Sequence, residues 1–154
     1  MPRPMKKSNR TAWESALHLI GYRAQSEWEI RTKLKRKGYD EEDIEKTVSL
    51  LYRYQYLDDE ALAEEIFFRY QSSLLYGDRY IQGKLHARGL TIDRHLTEEE
   101  EREKATEALR IRLRTVPGLL EDYRRAAGFL LRRGFSQTAV RAVLDETAGG
   151  QETF

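Results

Sequence analysis

Apolar residues in this chain recur every three or four positions rather than every second one. Trp13, Ala16, Leu17 and Ile20 make one stripe, Ile44, Val48 and Leu51 another, and Leu62, Ile66 and Tyr70 a third. That is a helical period. Proline, which breaks helices, stands only at positions 2, 4 and 117. Leu, Glu, Arg and Ala dominate, while Val, Ile and Thr are sparse. The pattern predicts an all-α chain.

Capping residues set the expected boundaries. A first helix is predicted over residues 11–22. Ser26-Glu27-Trp28-Glu29 fits a capping box, in which a hydroxyl and a carboxylate satisfy the first free amides of a helix. This second helix should run to Lys37, with Gly38 in the left-handed position that closes helices. Asp40 should open the next helix, with Glu41, Glu42 and Asp43 beside its positive end, and carry it through Ile44 to about Tyr54. Asp58-Asp59 predicts a further helix from Glu60 to about Leu75, ended by Gly77. Asp78 should start one through Tyr80, Ile81 and Leu85 to Arg88. Glu98–Glu101 leads into another over residues 102–115.

The chain also repeats itself. Gly38, Gly89 and Gly134 are spaced 51 and 45 residues apart. Four positions before each stands a Leu (Leu34, Leu85, Leu130), and immediately before each a base (Lys37, Arg88, Arg133). Immediately after comes a large apolar residue (Tyr39, Leu90, Phe135), and two after comes a capping type (Asp40, Thr91, Ser136). The pattern describes a corner between two helices. A third helix per unit is expected at residues 11–22, at 59–75, and from about 119–123 onward. Units of about 45–50 residues that bury faces on their neighbours build an elongated array. The expected layout is a basic, flexible N-terminal segment over 1–10, repeats over 11–57, 58–115 and 116–146, and a flexible tail over 147–154. The middle copy departs from the pattern: His95 stands where the others carry Ile44 and Val140. Ile92 and Leu96 are expected to take over the packing there, with the helix rotated or started late.

Composition narrows the chemistry. The 154 residues carry 27 Lys+Arg against 26 Asp+Glu, a net charge of +1. A protein that wraps nucleic acid nonspecifically needs a large positive excess, so any such attraction must be local. With no Cys, a disulfide framework, a thiol nucleophile and a cysteine zinc site are excluded. His18, His86 and His95 are scattered along the chain and suggest no metal site. No apolar run reaches the ~20 residues of a membrane span. Met1–Arg10 is basic with no apolar stretch after it, so no signal peptide is predicted. No phosphate loop, nucleophile elbow or zinc spacing is present. The expectation is a cytoplasmic monomer that is not an enzyme and takes no cofactor or metal.

Candidate contact residues are basic. Arg31, Lys33, Lys35, Arg36 and Lys37 bring five positive charges without an intervening acid. Arg110, Arg112, Arg114, Arg124, Arg125, Arg132 and Arg133 make the last third basic, and Lys84 and Arg88 join them. Both groups read as surfaces for phosphate or for an acidic partner, against the alternative of solvated faces whose helix-terminal bases offset the dipole. Tyr123, Phe129 and Phe135 are candidates for base stacking, although aromatics at helical spacing usually belong to a core. Asp58 and Asp59 read as a helix cap, and Glu98–Glu101 as a solvated face.

These segments together resemble the RecX family of bacterial recombinase regulators. The similarity lies in Tyr56-Leu57-Asp58-Asp59-Glu60-Ala61-Leu62-Ala63 and in Ser26-Glu27-Trp28-Glu29-Ile30 followed by Leu34 and Gly38-Tyr39. It continues in Gly77, Ile81, Leu85 and Arg88-Gly89-Leu90, and in Phe129-Leu130-Leu131-Arg132-Arg133-Gly134-Phe135-Ser136. It spans roughly residues 12–145. His95, Trp28 and Leu62 depart from the family pattern. The resemblance implies an array of three three-helix repeats, with Asp58, Asp59 and the three glycines as structural signature. It further implies a regulator that binds the RecA recombinase, mostly as its filament on single-stranded DNA, and suppresses its ATPase, strand-exchange and coprotease activities. Two other readings stand beside it: an independent DNA-binding helix-turn-helix protein, and a helical-repeat adaptor for another protein. Asp40, Glu41, Glu42 and Asp43 at the head of a would-be recognition helix would repel phosphate and oppose groove reading.

Overall fold

The computed structural model describes residues 9–148. Residues 1–8 of the basic N-terminal segment and 149–154 of the tail lie outside them. Among the described residues there are eight α-helices and no strand: α1 (Ala12–Tyr22), α2 (Glu27–Arg36), α3 (Glu41–Arg53), α4 (Asp59–Gln71), α5 (Asp78–Ala87), α6 (Glu98–Leu113), α7 (Tyr123–Arg132) and α8 (Gln137–Ala148). The chain divides into two compact units. One holds the residues up to Glu65 with Leu85–Ile92, and the other Ile66–Lys84 with the residues from Asp93 onward. Helices α4 and α5 contribute to both.

In the first unit α1, α2 and α3 pack on one another. Ala12, Ala16, Ile30, Leu34, Ile44, Val48, Leu51 and Leu57 form its core. Ala16, Ile44, Val48 and Leu51 are periodic positions of the sequence, now turned inward, while Trp13, Leu17 and Ile20 pack half-buried against this core. The Ser26 capping box is complete: the Ser26 hydroxyl accepts from the Glu29 amide, and the Glu29 carboxylate accepts from the Ser26 amide. Asp40 caps α3 by accepting from the Asp43 amide.

In the second unit α6, α7 and α8 pack on one another around Ala105, Ala108, Leu109, Ala126, Phe129, Leu130, Phe135, Val140, Val143 and Leu144. The sequence grouped residues 102–115 with the segment before them; in the structure α6 packs on α7 and α8. The helix expected from about 119–123 onward is α7, which starts at Tyr123 directly after a three-residue 3-10 turn, Leu119–Glu121. Pro117 and Gly118 interrupt the chain just before it.

The three glycine corners share one geometry. Gly38, Gly89 and Gly134 have φ of 93°, 72° and 89°, the left-handed region that glycine enters without a Cβ penalty. At each corner the amide after the glycine bonds back to the carbonyl of the repeated leucine: Tyr39 to Leu34, Leu90 to Leu85, Phe135 to Leu130. The glycine amide itself bonds to Lys35, His86 or Leu131. This is the Schellman closure, and all three leucines are fully buried.

The middle copy then diverges. Thr91 caps nothing, residues 91–97 are not helical, and α6 begins at Glu98. The Asp78 carboxylate holds this segment, accepting from the Leu96 amide at 2.9 Å and facing His95 Nδ1 at 2.8 Å. Leu96 is buried and Ile92 half-buried. Thr97 and Glu100 supply the capping box instead. Helix α4 also stops early, at Gln71 rather than about Leu75. Gly77 is therefore not a helix end. It lies against the Gly134 backbone, where a Cβ would come within 2.4 Å of the Gly134 carbonyl oxygen.

Candidate nucleic-acid interface

The basic residues divide into those already engaged within the fold and those left facing solvent. Arg31 is engaged. Its guanidinium bonds Glu27 at 2.8 Å and Glu45 at 2.7 and 3.1 Å, and these bonds, that to Glu45 foremost, raise its pKa further. Glu27 also accepts from the Tyr52 hydroxyl at 2.6 Å. This bond, then that from Arg31, holds the Glu27 carboxyl below its usual range. Lys33 donates to the Gln25 side chain at 2.8 Å. The run of five charges without an acid in sequence is thus partly answered in space by Glu27 and Glu45. Lys35 and Arg36 are exposed and Lys37 is half-buried at the helix end; none of the three has a carboxylate partner among the described residues.

Arg88 is also structural. It donates to Glu29 at 2.9 and 3.1 Å and to the Ala24 carbonyl at 2.6 Å, and its own carbonyl accepts from the Ser26 hydroxyl. Burial opposes the charge on Glu29. The bonds from Arg88 and the Ser26 amide, with the charges of Arg88 and Arg23, outweigh it and hold that carboxyl low. Arg110 is bonded by Glu107, three residues back on the same helix. Arg133 lies over the rings of Tyr76 and Phe129, 5.2 Å from each centroid. Lys84 is exposed above Tyr80 at 5.2 Å, and Arg114 is exposed.

Four of the predicted residues converge. Arg112 near the end of α6, Arg124 and Arg125 in the first turn of α7, and Arg132 at its last residue line a cavity of about 320 Å³ floored by Val116, Leu119 and Phe129. All four arginines are exposed, and none has a carboxylate partner among the described residues. Arg112 rests on the Phe129 ring at 5.5 Å, a cation–π contact worth about 0.5–1 kcal/mol at an exposed site. Phe129 and Phe135 are buried, so neither ring offers a face to a base; Tyr123 is 50% exposed. The sequence reading missed Val116 and Leu119 as the floor. The Pro117-Gly118 turn between two helices was the available signal, since it folds both residues under α7.

The acidic motifs prove architectural. Asp58 caps α4 by accepting from the Ala61 amide at 3.0 Å. Asp59 reaches another helix, accepting from the Glu27 amide at the head of α2 at 2.9 Å. Burial raises the Asp59 pKa despite that bond. Within the Glu98–Glu101 run, Glu101 is buried rather than solvated. Its two oxygens accept from the Asp78 amide opening α5, at 2.8 Å, and from the Ser136 amide capping α8, at 3.0 Å. Beside it Lys104 is buried and donates to the carbonyls of Gln71 and Ser73, and burial lowers its pKa. Among the described residues no group of three or more His, Asp or Glu is placed to hold a metal ion, and no helix is long and apolar enough to cross a membrane.

The class this defines is an all-α protein with glycine-cornered three-helix packing and a cationic surface pocket. Comparison with known proteins carries it further. A family model described as RecX, first three-helix domain, matches residues 12–51. Regulatory protein RecX of Thermotoga maritima is 32% identical over 139 residues, covering 89% of this chain and 84% of that protein. Regulatory protein RecX of Prosthecochloris aestuarii is 34% identical over 146 residues, covering 89% and 93%. That of Mycobacterium sp. strain JLS is 34% identical over 169 residues, covering 98% and 91%. The crystal structure of RecX from Lactobacillus salivarius matches with a TM-score of 0.73 at 19% identity over 89% of this chain and 94% of that one. A second crystal structure, of a regulatory protein RecX, matches with a TM-score of 0.71 at 25% identity, covering 88% and 72%. The chain belongs to the RecX family of regulatory proteins.

Proposed function

We propose that this protein is a non-enzymatic regulator that binds the RecA recombinase as its filament on single-stranded DNA and inhibits its ATPase, strand-exchange and coprotease activities. Membership of the RecX family over nearly the whole chain carries the reading. The unpartnered bases on α2, α6 and α7 support it, because a protein–DNA filament is a polyanion and such charges attract polyanions locally without a net positive chain. In this reading the protein acts as a cytoplasmic monomer and contributes no chemistry. By occupying the filament it biases RecA against the changes that ATP turnover requires.

A reading as an independent sequence-specific DNA binder is less favoured. Helix α3, which follows the first corner, opens with Asp40, Glu41, Glu42 and Asp43, and these carboxylates would meet phosphates in a groove. The deciding experiment is ATP hydrolysis by the cognate RecA on single-stranded DNA while this protein is titrated in.

A further inference from the structure

We propose that the pocket between α6 and α7 is a phosphodiester-binding site that takes the backbone of a single-stranded nucleic acid. The inference deepens the regulator reading, on which it rests for the origin of the strand, by assigning the nucleic-acid contact to one place. Arg112, Arg124, Arg125 and Arg132 surround one cavity of about 320 Å³ with no carboxylate among its lining residues. An arginine fork matches phosphate oxygens bidentately. Elsewhere in the fold, Arg31, Arg88, Arg102 and Arg110 each have a glutamate, so the absence of one here leaves this charge for an outside partner.

The two largest depressions have the opposite character. One, of about 990 Å³, is lined by Glu98, Glu99, Glu103 and Glu146, and its arginine, Arg102, is bonded to Glu146. Another, of about 760 Å³, is lined by Glu41, Glu42 and Glu45, and its Lys46 pairs with Glu42. Both repel phosphate. The four pocket arginines are solvent-exposed, so each single contact is weak. A chain of phosphates gains from several at once through release of its counterions, which a lone anion cannot match.

The test uses the full chain, a fluorescent oligo-dT and no RecA, with affinity read by anisotropy between 50 and 200 mM salt. Each phosphate contact on a single strand contributes about 0.7 to the slope of log affinity against log salt. R124Q/R125Q should therefore flatten the slope by about 1.4 relative to the wild-type chain, and R112Q/R132Q, across the pocket, should flatten it similarly. The double variant R53Q/R69Q removes the same charge from exposed positions outside the pocket and should leave the slope unchanged. All replaced side chains are exposed, and a thermal melt checks that each variant folds. The proposal is overturned by no measurable binding of oligo-dT, by pocket slopes equal to wild type or to R53Q/R69Q, or by polyglutamate competing as well as oligo-dT per unit charge. The last result would make the pocket a site for an acidic protein. Because RecA is absent, failure here leaves the regulator reading intact, and failure of ATPase inhibition leaves the slope result intact.

Discussion

At the residue scale, two of the five repeated columns of the sequence have the same mechanical cause in all three copies. The leucine supplies the carbonyl that the turned chain bonds back to, and the glycine makes the left-handed turn. The three glycines differ in what a methyl group would meet. A Cβ on Gly38 meets nothing within 4 Å. On Gly89 it would come within 2.4 Å of the Trp28 Cβ, and on Gly134 within 2.4 Å of the Tyr80 backbone nitrogen. Gly38→Ala should therefore cost only the left-handed penalty, about 1–2 kcal/mol. Gly89→Ala and Gly134→Ala should cost clearly more, with Gly134→Ala the worst because backbone cannot step aside. Urea unfolding of the three variants checks the order, and equal losses would refute it. The same clash explains how Trp28, a departure from the family pattern, is accommodated: its side chain lies where Gly89 has none. A fourth corner was hidden from the sequence. Gln55 takes φ 62° and the Tyr56 amide bonds back to Leu51 at 2.8 Å, but without a glycine no column marked it.

At the element scale, the helices of the first unit were legible because each begins with a side-chain cap and buries one stripe. The middle of the chain was less so, because its boundaries depend on residues far apart in sequence. Asp78 fixes the segment before α6, and Glu101 joins the starts of α5 and α8; local capping rules describe neither. Glu101→Gln keeps one acceptor and turns a donor toward the other amide. It should lower the unfolding free energy by about 1–3 kcal/mol, the penalty for one buried unsatisfied group, whereas Glu99→Gln, exposed on the same run, should leave it nearly unchanged. Chemical denaturation reads both. Glu29 adds a pH dependence. Its pKa is lower in the folded chain than the ordinary value, so its stabilisation is fully present above about pH 4.3 and disappears as pH falls through the lower folded value. Replacing Arg88 with Gln should shrink that acid-side loss, seen as a shallower fall of Tm between pH 5 and 3. An unchanged slope would contradict the assignment.

At the scale of the whole molecule, the sequence located the basic residues but not which of them are available. Arg31 and Arg88 look the same in sequence as Arg124 and Arg125, yet the first two are spent on Glu27, Glu45 and Glu29 inside the fold. Only packing brings an acid 14 or 59 residues away into contact. The family, by contrast, was readable, because its motifs are the corners and caps themselves, whose spacing the fold enforces. The regulator reading is tested most directly by the rate of ATP hydrolysis by cognate RecA on single-stranded DNA as this protein is added from substoichiometric to equal amounts. The account predicts a progressive fall in rate, beginning well below one molecule per RecA, as expected of an effect propagated along a filament. An unchanged rate at equal amounts, with filament and DNA both confirmed present, would contradict it.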